Sequence, residues 1–175
     1  ANGCSGALEL ALTAMLDTTG TTNGSTILLP QPGFPLYQVI AESHGFRVKY
    51  YRLDPVNNWQ VDLNHLEYLL DNGKNDDVRG IVINNPSNPC GCVYSVQHLQ
   101  DILILAGKYQ LPILSDEVYG DITFHGATYH PLSHVAARLK QNNGISTTRG
   151  HIVVPPVITA SGLGKQFLVP GWRVG

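Results

Sequence analysis

Short apolar segments alternate along this chain with amphipathic ones, and this alternation constrains the fold more than any other feature of the sequence. The apolar segments have the length of strands, and we predict strands over 25–30, 47–53, 78–86, 111–119 and 151–161. The segments between them repeat apolar residues at helical spacing, and we predict helices over 5–17, 34–45, 62–73 and 95–109. Strands that alternate with helices form a mostly parallel sheet. The sequence therefore predicts an α/β fold with helices on both faces of the sheet, and a polar surface loop over 140–150.

Several of these helices carry end signals. Ser5, Asp62 and Ser95 stand where a side-chain oxygen could accept a hydrogen bond from the first turn. Gly45 and Gly73 stand where a helix commonly ends. These signals strengthen the predicted boundaries.

The composition limits the class of protein. The chain has 175 residues, of which 43% are hydrophobic and 14% charged, as in one globular domain over 1–175. A net charge of −2 argues against a nucleic-acid partner. The apolar runs are too short to span a bilayer, so no membrane partner is expected.

Cysteine and histidine usage indicates neither a disulfide framework nor a metal site. The chain has three cysteines, Cys4, Cys90 and Cys92, an odd number that favours a reducing compartment. We therefore expect a cytoplasmic location, with a mitochondrial one as the alternative. The histidines between 125 and 134 are too loosely spaced for metal ligands, and no metal is predicted.

Residues suited to chemistry fall at the predicted element ends. Ser5 begins a helix, Asp116 ends a strand, and Phe34, Asn88 and Lys165 each follow one. Parallel sheets bind ligands at the carboxyl ends of their strands. We therefore expect these side chains to share one site.

Lys165 has no acidic residue within ten positions on either side and stands among glycines and apolar residues. Loss of hydration in such surroundings lowers the pKa of a lysine and allows its amine to attack a carbonyl. The alternative interpretation is an ordinary surface lysine.

Other candidates also have simpler interpretations. Arg173 and the turn before Ser5 are suited to an anion, although the turn could serve only to cap a helix. The segment "NNPSNPCG" could aim the amide of Asn88 at a fixed atom, or be a plain turn. Asp116 could equally cap a helix.

Three motifs taken together resemble a known family. "NNPSNPCG", "SDEVYGD" and "SGLGKQFLVPGWRVG", in this order and spacing, resemble the fold-type I aminotransferases that use pyridoxal 5′-phosphate. "LLPQPGFPLY" and "LVPGWR" are similar to the subgroup that acts on tyrosine. The resemblance covers nearly the whole chain. It implies that 1–175 is the cofactor-binding large domain of a homodimeric enzyme, without its N-terminal arm and C-terminal small domain.

The resemblance also implies roles for individual residues. Lys165 would bind the cofactor covalently and then move a proton, while Asp116 would face the pyridine nitrogen. Asn88 and Tyr119 would hydrogen-bond the phenolic oxygen of the cofactor. Phe34 would stack on its ring.

Phosphate binding is implied for a separate group of residues: Cys4, Ser5 and Arg173. Many relatives carry Ser or Thr three residues before the lysine, where this chain has Gly162, so a phosphate contact from the neighbouring Ser161 is not predicted.

The implied activity is transfer of an amino group from an aromatic L-amino acid, tyrosine, to a 2-oxo acid. The alternatives are another transamination, such as that of alanine, a carbon–sulfur lyase reaction, or an inactive domain that only captures the cofactor.

Overall fold

A computed structural model describes residues 1–15, 24–73, 77–141, 146–147, 150–151 and 153–175. Its helices are α1 (Gly3–Met15), α2 (Leu36–Ser43), α3 (Leu63–Asn72), α4 (Val96–Lys108), α5 (Leu132–Gln141) and α6 (Leu163–Gln166). Its strands are β1 (Ser25–Gln31), β2 (Arg47–Asp54), β3 (Gln60–Val61), β4 (Asp77–Asn84), β5 (Ile113–Asp116), β6 (Ser146–Thr147), β7 (Gly150–His151) and β8 (Val157–Ala160). None of these helices is long and apolar enough to cross a membrane.

The main sheet has the strand order β3-β2-β1-β4-β5-β8. All of its pairings are parallel except that of β3, which runs antiparallel to β2 at one edge. Strands β6 and β7 form a separate antiparallel pair. The predicted mostly parallel α/β fold is confirmed.

Helices cover both faces of this sheet because alternate strand residues point to opposite sides. One face packs against α1 and α2 through the buried strand residues Ile27, Leu29, Val82 and Leu114. The other packs against α3, α4 and α5 through Leu28, Ile81, Ile83 and Ile113. Each such side chain contributes about 1.5–3 kcal/mol when fully buried. The sheet therefore forms the centre of two apolar cores.

Two of the predicted helix caps are confirmed. Asp62 accepts a hydrogen bond from the backbone N–H of His65 (3.0 Å), and Ser95 accepts one from that of His98 (3.2 Å). The prediction that Ser5 caps its helix is wrong. Helix α1 begins at Gly3, whose N–H donates to the carbonyl of Arg173 (2.9 Å), so Ser5 lies inside the first turn.

Other predicted boundaries also differ from the structure. Strand β8 covers only 157–160 because Pro155 and Pro156 lack the N–H groups that a sheet ladder needs. Strand β5 ends at Asp116 rather than at residue 119, because the chain turns at 118–121. The segment predicted as a loop over 140–150 contains the end of α5 and the β6–β7 pair, and its remainder lies outside the described residues.

Helix α5 lies in a segment for which no element is predicted from the sequence. Its buried residues Leu132, Val135, Ala136 and Leu139 follow helical spacing, so a signal was present. The short strand β3 was also missed, because two residues are too few to show a period.

Candidate active site

A cavity of about 310 Å³ lies at the carboxyl ends of β1, β4, β5 and β8. Strands β1 and β4 are neighbours in the sheet. The chain continues from β1 to β2 on one side of this pair, and from β4 to β5 on the other side. Parallel sheets open a crevice at such a reversal. The structure brings every residue predicted for the site to this cavity: Cys4, Ser5, Phe34, Asn88, Asp116, Tyr119, Lys165 and Arg173.

Asp116 forms the buried end of the cavity, with 3% of its surface exposed. The Tyr37 hydroxyl donates to its Oδ2 (2.5 Å), and the backbone N–H of Val118 donates to its Oδ1 (3.1 Å). The Cys4 thiol also donates to Oδ1, at 3.6 Å. Burial raises the pKa of Asp116 above its ordinary value, and these hydrogen bonds partly oppose the rise.

The two side chains that donate to Asp116 keep their protons near neutral pH. Burial and the neighbouring carboxylate raise the pKa of the Cys4 thiol to about 12. The same two causes raise the pKa of Tyr37 well above its ordinary value. Both groups are therefore donors, and they fix the orientation of the carboxylate.

Two asparagines hold the loop after β4. Asn84 is buried, donates from Nδ2 to the carbonyl of Asp116 (3.2 Å) and accepts from the backbone N–H of Asn88 (2.6 Å). Asn85 accepts from the backbone N–H of Tyr94 (2.9 Å). The asparagines of "NNPSNPCG" thus fasten this loop to β5 and to the chain beyond it.

An anion could bind where the start of α1 lines the cavity. Cys4 and Ser5 lie in the first turn of α1, where backbone N–H groups lack acceptors from an earlier turn. Arg173 donates from Nε to Asn2 Oδ1 and from Nη2 to the Asn2 carbonyl, both at 3.1 Å. Its guanidinium passes so close to Gly3 that a Cβ there would lie 2.7 Å from Nη2. This arrangement places a permanent positive charge beside the helix start.

Lys165 lies in α6, and its Nζ is 5.5 Å from the centroid of the Tyr119 ring. The prediction that apolar neighbours remove water from this lysine is wrong, because its side chain is exposed. The neighbours are themselves exposed, Phe167 by 60% and Leu168 by 85%, so they do not cover it. The amine is accessible rather than buried.

Phe34 lies at the mouth of the cavity and is 37% exposed. Its ring meets that of Tyr37 edge to face, with the centroids 5.7 Å apart. Ser161 does not line the cavity, whereas Gly162 does. A Cβ at 162 would lie 3.2 Å from the backbone nitrogen of Cys4, so a side chain there would be tightly packed.

Sequence reasoning missed Tyr37 and Asn84. Tyr37 stands three residues after Phe34, one helical turn away, and Asn84 belongs to a motif already singled out. Both positions carried a signal, but only the fold shows that they contact Asp116. Among the described residues, no group of three or more His, Cys, Asp or Glu side chains could hold a metal ion. All three cysteines are free.

Known proteins similar to this chain share its fold and much of its sequence. Human tyrosine aminotransferase is 41% identical over 174 residues, which are 99% of this chain and 33% of that protein. The crystal structure of tyrosine aminotransferase from Leishmania infantum superposes with a TM-score of 0.79 at 32% identity, covering 99% of this chain and 40% of that one. Alanine aminotransferase from Pyrococcus furiosus gives 0.77 at 28% identity, covering 99% and 38%.

The chain spans about a third of the length of the curated relatives it matches. The family model for aminotransferase class I and II matches all of it, residues 1–175. Together with the α/β fold and the sequence identity to human tyrosine aminotransferase, this match shows that the chain belongs to the aminotransferase class I and II family.

Proposed function

We propose that this chain binds pyridoxal 5′-phosphate with Lys165 as its covalent attachment point. The protein would then transfer the amino group of an aromatic L-amino acid, tyrosine, to a 2-oxo acid. One observation carries this proposal. A single cavity combines an accessible amine, a buried carboxylate, and a helix start beside an arginine.

The residues present fit the cofactor. Its phosphate is an anion, and the first turn of α1 with Arg173 offers N–H donors and positive charge. Its pyridine nitrogen is a base, and Asp116 offers a fixed carboxylate. The missing side chain at Gly3 leaves the room that the guanidinium of Arg173 occupies.

When bound, this cofactor supplies an electron sink that stabilises negative charge at the α carbon of a substrate. Lys165 Nζ would accept the proton that leaves that carbon and return it later. Asp116 would favour a positive charge on the ring nitrogen, which strengthens the sink. Asn88 and Tyr119 would donate to the phenolic oxygen, and Phe34 would pack on the ring, a contact worth about 1 kcal/mol.

The substrate is proposed from similarity. The 41% identity to human tyrosine aminotransferase supports an aromatic amino acid, and the likeness to the alanine aminotransferase structure supports alanine as a second candidate. The alternative carbon–sulfur lyase reaction would release pyruvate and ammonia from a suitable substrate, so product analysis separates it from transamination. Because the chain spans about a third of these relatives, cofactor capture without turnover stays an alternative for the 175 residues alone.

We also propose that the protein forms a homodimer, and that it is located in the cytoplasm, which the three free cysteines support. Phe167, Leu168 and Trp172 are 60%, 85% and 70% exposed beside the cavity, and exposed apolar groups of this kind favour an interface. A sedimentation experiment measures the oligomeric state directly.

The proposal is tested by mixing the chain with pyridoxal 5′-phosphate, recording the absorption spectrum, reducing with borohydride and mapping peptides by mass. We expect a reduced adduct on Lys165, because it is the one lysine of the described residues that lines the cavity. An adduct spread over several lysines, or none on a folded chain, would contradict the assignment.

Substitution of Gly3 with alanine is expected to weaken the binding of inorganic phosphate by about 5-fold, the loss of roughly one hydrogen bond. Gly3 has φ +68°, and an added Cβ would displace the guanidinium of Arg173. Gly91→Ala is the matched control, because Gly91 also has φ +68° but nothing lies within 4 Å of its Cβ position. Calorimetric titration measures both variants.

Both variants should lose about 1 kcal/mol of folding stability through backbone strain. Only Gly3→Ala should lose phosphate affinity. Unchanged phosphate affinity in Gly3→Ala would show that the position of Arg173 does not govern anion binding.

A further inference from the structure

Glu117 is a buried carboxylate that the proposed chemistry does not use. It directly follows Asp116 but does not line the cavity, and only 7% of its surface is exposed. The side chains of Ser115 and Glu117 contact each other, and neither lines the cavity that Asp116 faces. A buried carboxylate is costly unless several donors satisfy it. Glu117 therefore needs hydrogen-bond donors around it.

Three donors satisfy this carboxylate. Ser115 Oγ donates to Oε1 (2.8 Å), and the backbone N–H of Leu132 donates to the same oxygen (3.0 Å). The Tyr129 hydroxyl donates to Oε2. Glu117 thus joins the end of β5 to Tyr129 and to the first residue of α5.

These contacts enclose the turn that carries Tyr119. The backbone N–H of Glu117 donates to the carbonyl of Ala160 (2.8 Å), and that of Gly120 donates to the carbonyl of Glu117 (2.9 Å). The ring of Tyr129 lies against Gly120, where an added Cβ would be 2.7 Å from Cε1. The turn is therefore fixed where it leaves β5 and covered by the Tyr129 ring.

Tyr119 lies between two cavities. One is the candidate active site, where its ring lies 5.5 Å from Lys165 Nζ. The other has about 400 Å³ and shares Tyr119 and Asn88 as lining residues. Residues 121–128, which continue the chain beyond the turn, are exposed. The groups that can hold Tyr119 in place are therefore Glu117 and Tyr129, which pack against the turn.

We propose that Glu117 and Tyr129 are positioning residues, whose hydrogen bond holds Tyr119 at the wall of the active-site cavity. The expected effect of these two residues on cofactor binding rests on the proposed function. Burial and the neighbouring carboxylate raise the pKa of Tyr129, so its hydroxyl remains a donor near neutral pH.

The test is a double-mutant cycle on pyridoxal 5′-phosphate affinity, with Tyr129→Phe, Tyr119→Phe and the pair together. We expect Tyr129→Phe to weaken binding by about 5-fold in the parent chain, the loss of roughly one hydrogen bond. In the Tyr119→Phe background the same change should cost less than about 2-fold, since coupled residues are not additive. If Tyr129 only stabilises the fold, its substitution should lower cofactor affinity by the same factor in both backgrounds. That result would overturn the inference, and so would an unchanged affinity in both backgrounds.

The matched control is Tyr109→Phe. Tyr109 also donates to a carboxylate, Asp71 Oδ1 at 2.5 Å, but it lies between α3 and α4 and lines neither cavity. Its removal should leave cofactor affinity unchanged. If Tyr129→Phe does not fold, Glu117→Gln replaces it in the same cycle, because glutamine keeps the shape but removes the charge that strengthens the hydrogen bond with Tyr129.

Hydrogen exchange of the ligand-free chain tests the same inference without the cofactor. Tyr129→Phe should speed exchange at Gly120 and Ile122, whose N–H groups donate to the carbonyls of Glu117 and Tyr119 at 2.9 Å. Tyr109→Phe should not. If the parent chain fails to bind pyridoxal 5′-phosphate, the proposed function fails. The inference then stands if exchange at these amides rises, and falls if it does not.

Discussion

Replacement of Lys165 with alanine is expected to abolish covalent attachment of pyridoxal 5′-phosphate to this chain. Alanine has no amine, and Lys165 is the lysine among the residues that line the cavity. In the protein as a whole, we expect the transamination rate to fall by about 10⁴-fold or more, as for other residues that bond directly to the reacting groups. The absorption band of the bound cofactor and the borohydride-reduced adduct measure the first effect, and keto-acid formation measures the second.

Lys140→Ala is the control for this substitution. Lys140 is an exposed lysine in the last turn of α5 and does not line the cavity, so its loss should change neither the absorption band nor the adduct. Noncovalent binding should persist in Lys165→Ala, because the anion site and Asp116 are intact. An unchanged adduct in Lys165→Ala would mean that another amine carries the cofactor.

The sequence predicted the sheet and its helices because continuous apolar runs of strand length alternate with segments that repeat apolar residues at the helical period of 3.6. Two strands were predicted poorly because they are too short or are interrupted by proline. Strand β3 has two residues, and β8 is shortened by Pro155 and Pro156. Helix α5 had the period, and Pro131 stands directly before its first residue, so the sequence did carry the signals of this helix.

Part of the membership of the site was also predictable from the residues, since carboxyl ends of parallel strands converge and Phe34, Asn88 and Lys165 follow such ends. The places of Cys4 and Tyr119 were implied by the family resemblance instead.

The hydrogen bonds that support these residues were not predictable. The contact of Tyr37 with Asp116 joins positions 79 residues apart, and that of Tyr129 with Glu117 depends on how an irregular loop folds back. Exposure was mispredicted at Lys165, because apolar neighbours in sequence cover a side chain only if they are themselves buried.

Substitution of Asp116 with asparagine should leave the cofactor bound but slow proton removal from the α carbon of the substrate. The amide keeps the shape and an acceptor oxygen for the Val118 N–H, and its NH2 group can donate to the Tyr37 oxygen, but it cannot balance a positive charge on the ring nitrogen. We expect proton removal to slow by about 10³-fold, the upper range for loss of one electrostatic group. Exchange of the α hydrogen of tyrosine for deuterium in the protein measures this rate.

The same substitution should change how folding stability depends on pH in the ligand-free chain. Burial raises the pKa of Asp116 above its value of about 3.9 in the unfolded chain. Between these two pKa values the folded state keeps a proton that the unfolded state has released. The contribution of Asp116 to stability is therefore fully present below about pH 4 and is lost as the pH rises through the folded pKa. Asparagine does not titrate, so the variant should lack this loss.

Urea denaturation at a series of pH values from about 4 to 8 measures the difference, with Asp121→Asn as the control. Asp121 is an exposed carboxylate outside the cavity, so stability in Asp121→Asn should depend on pH as it does in the parent chain. The two readouts separate two roles of Asp116. If stability depends less on pH in Asp116→Asn but the rate of proton removal is unchanged, then Asp116 is a buried carboxylate that does not contact the ring nitrogen. A slower rate with an unchanged profile would mean that the folded chain does not bury the charge of Asp116 as described.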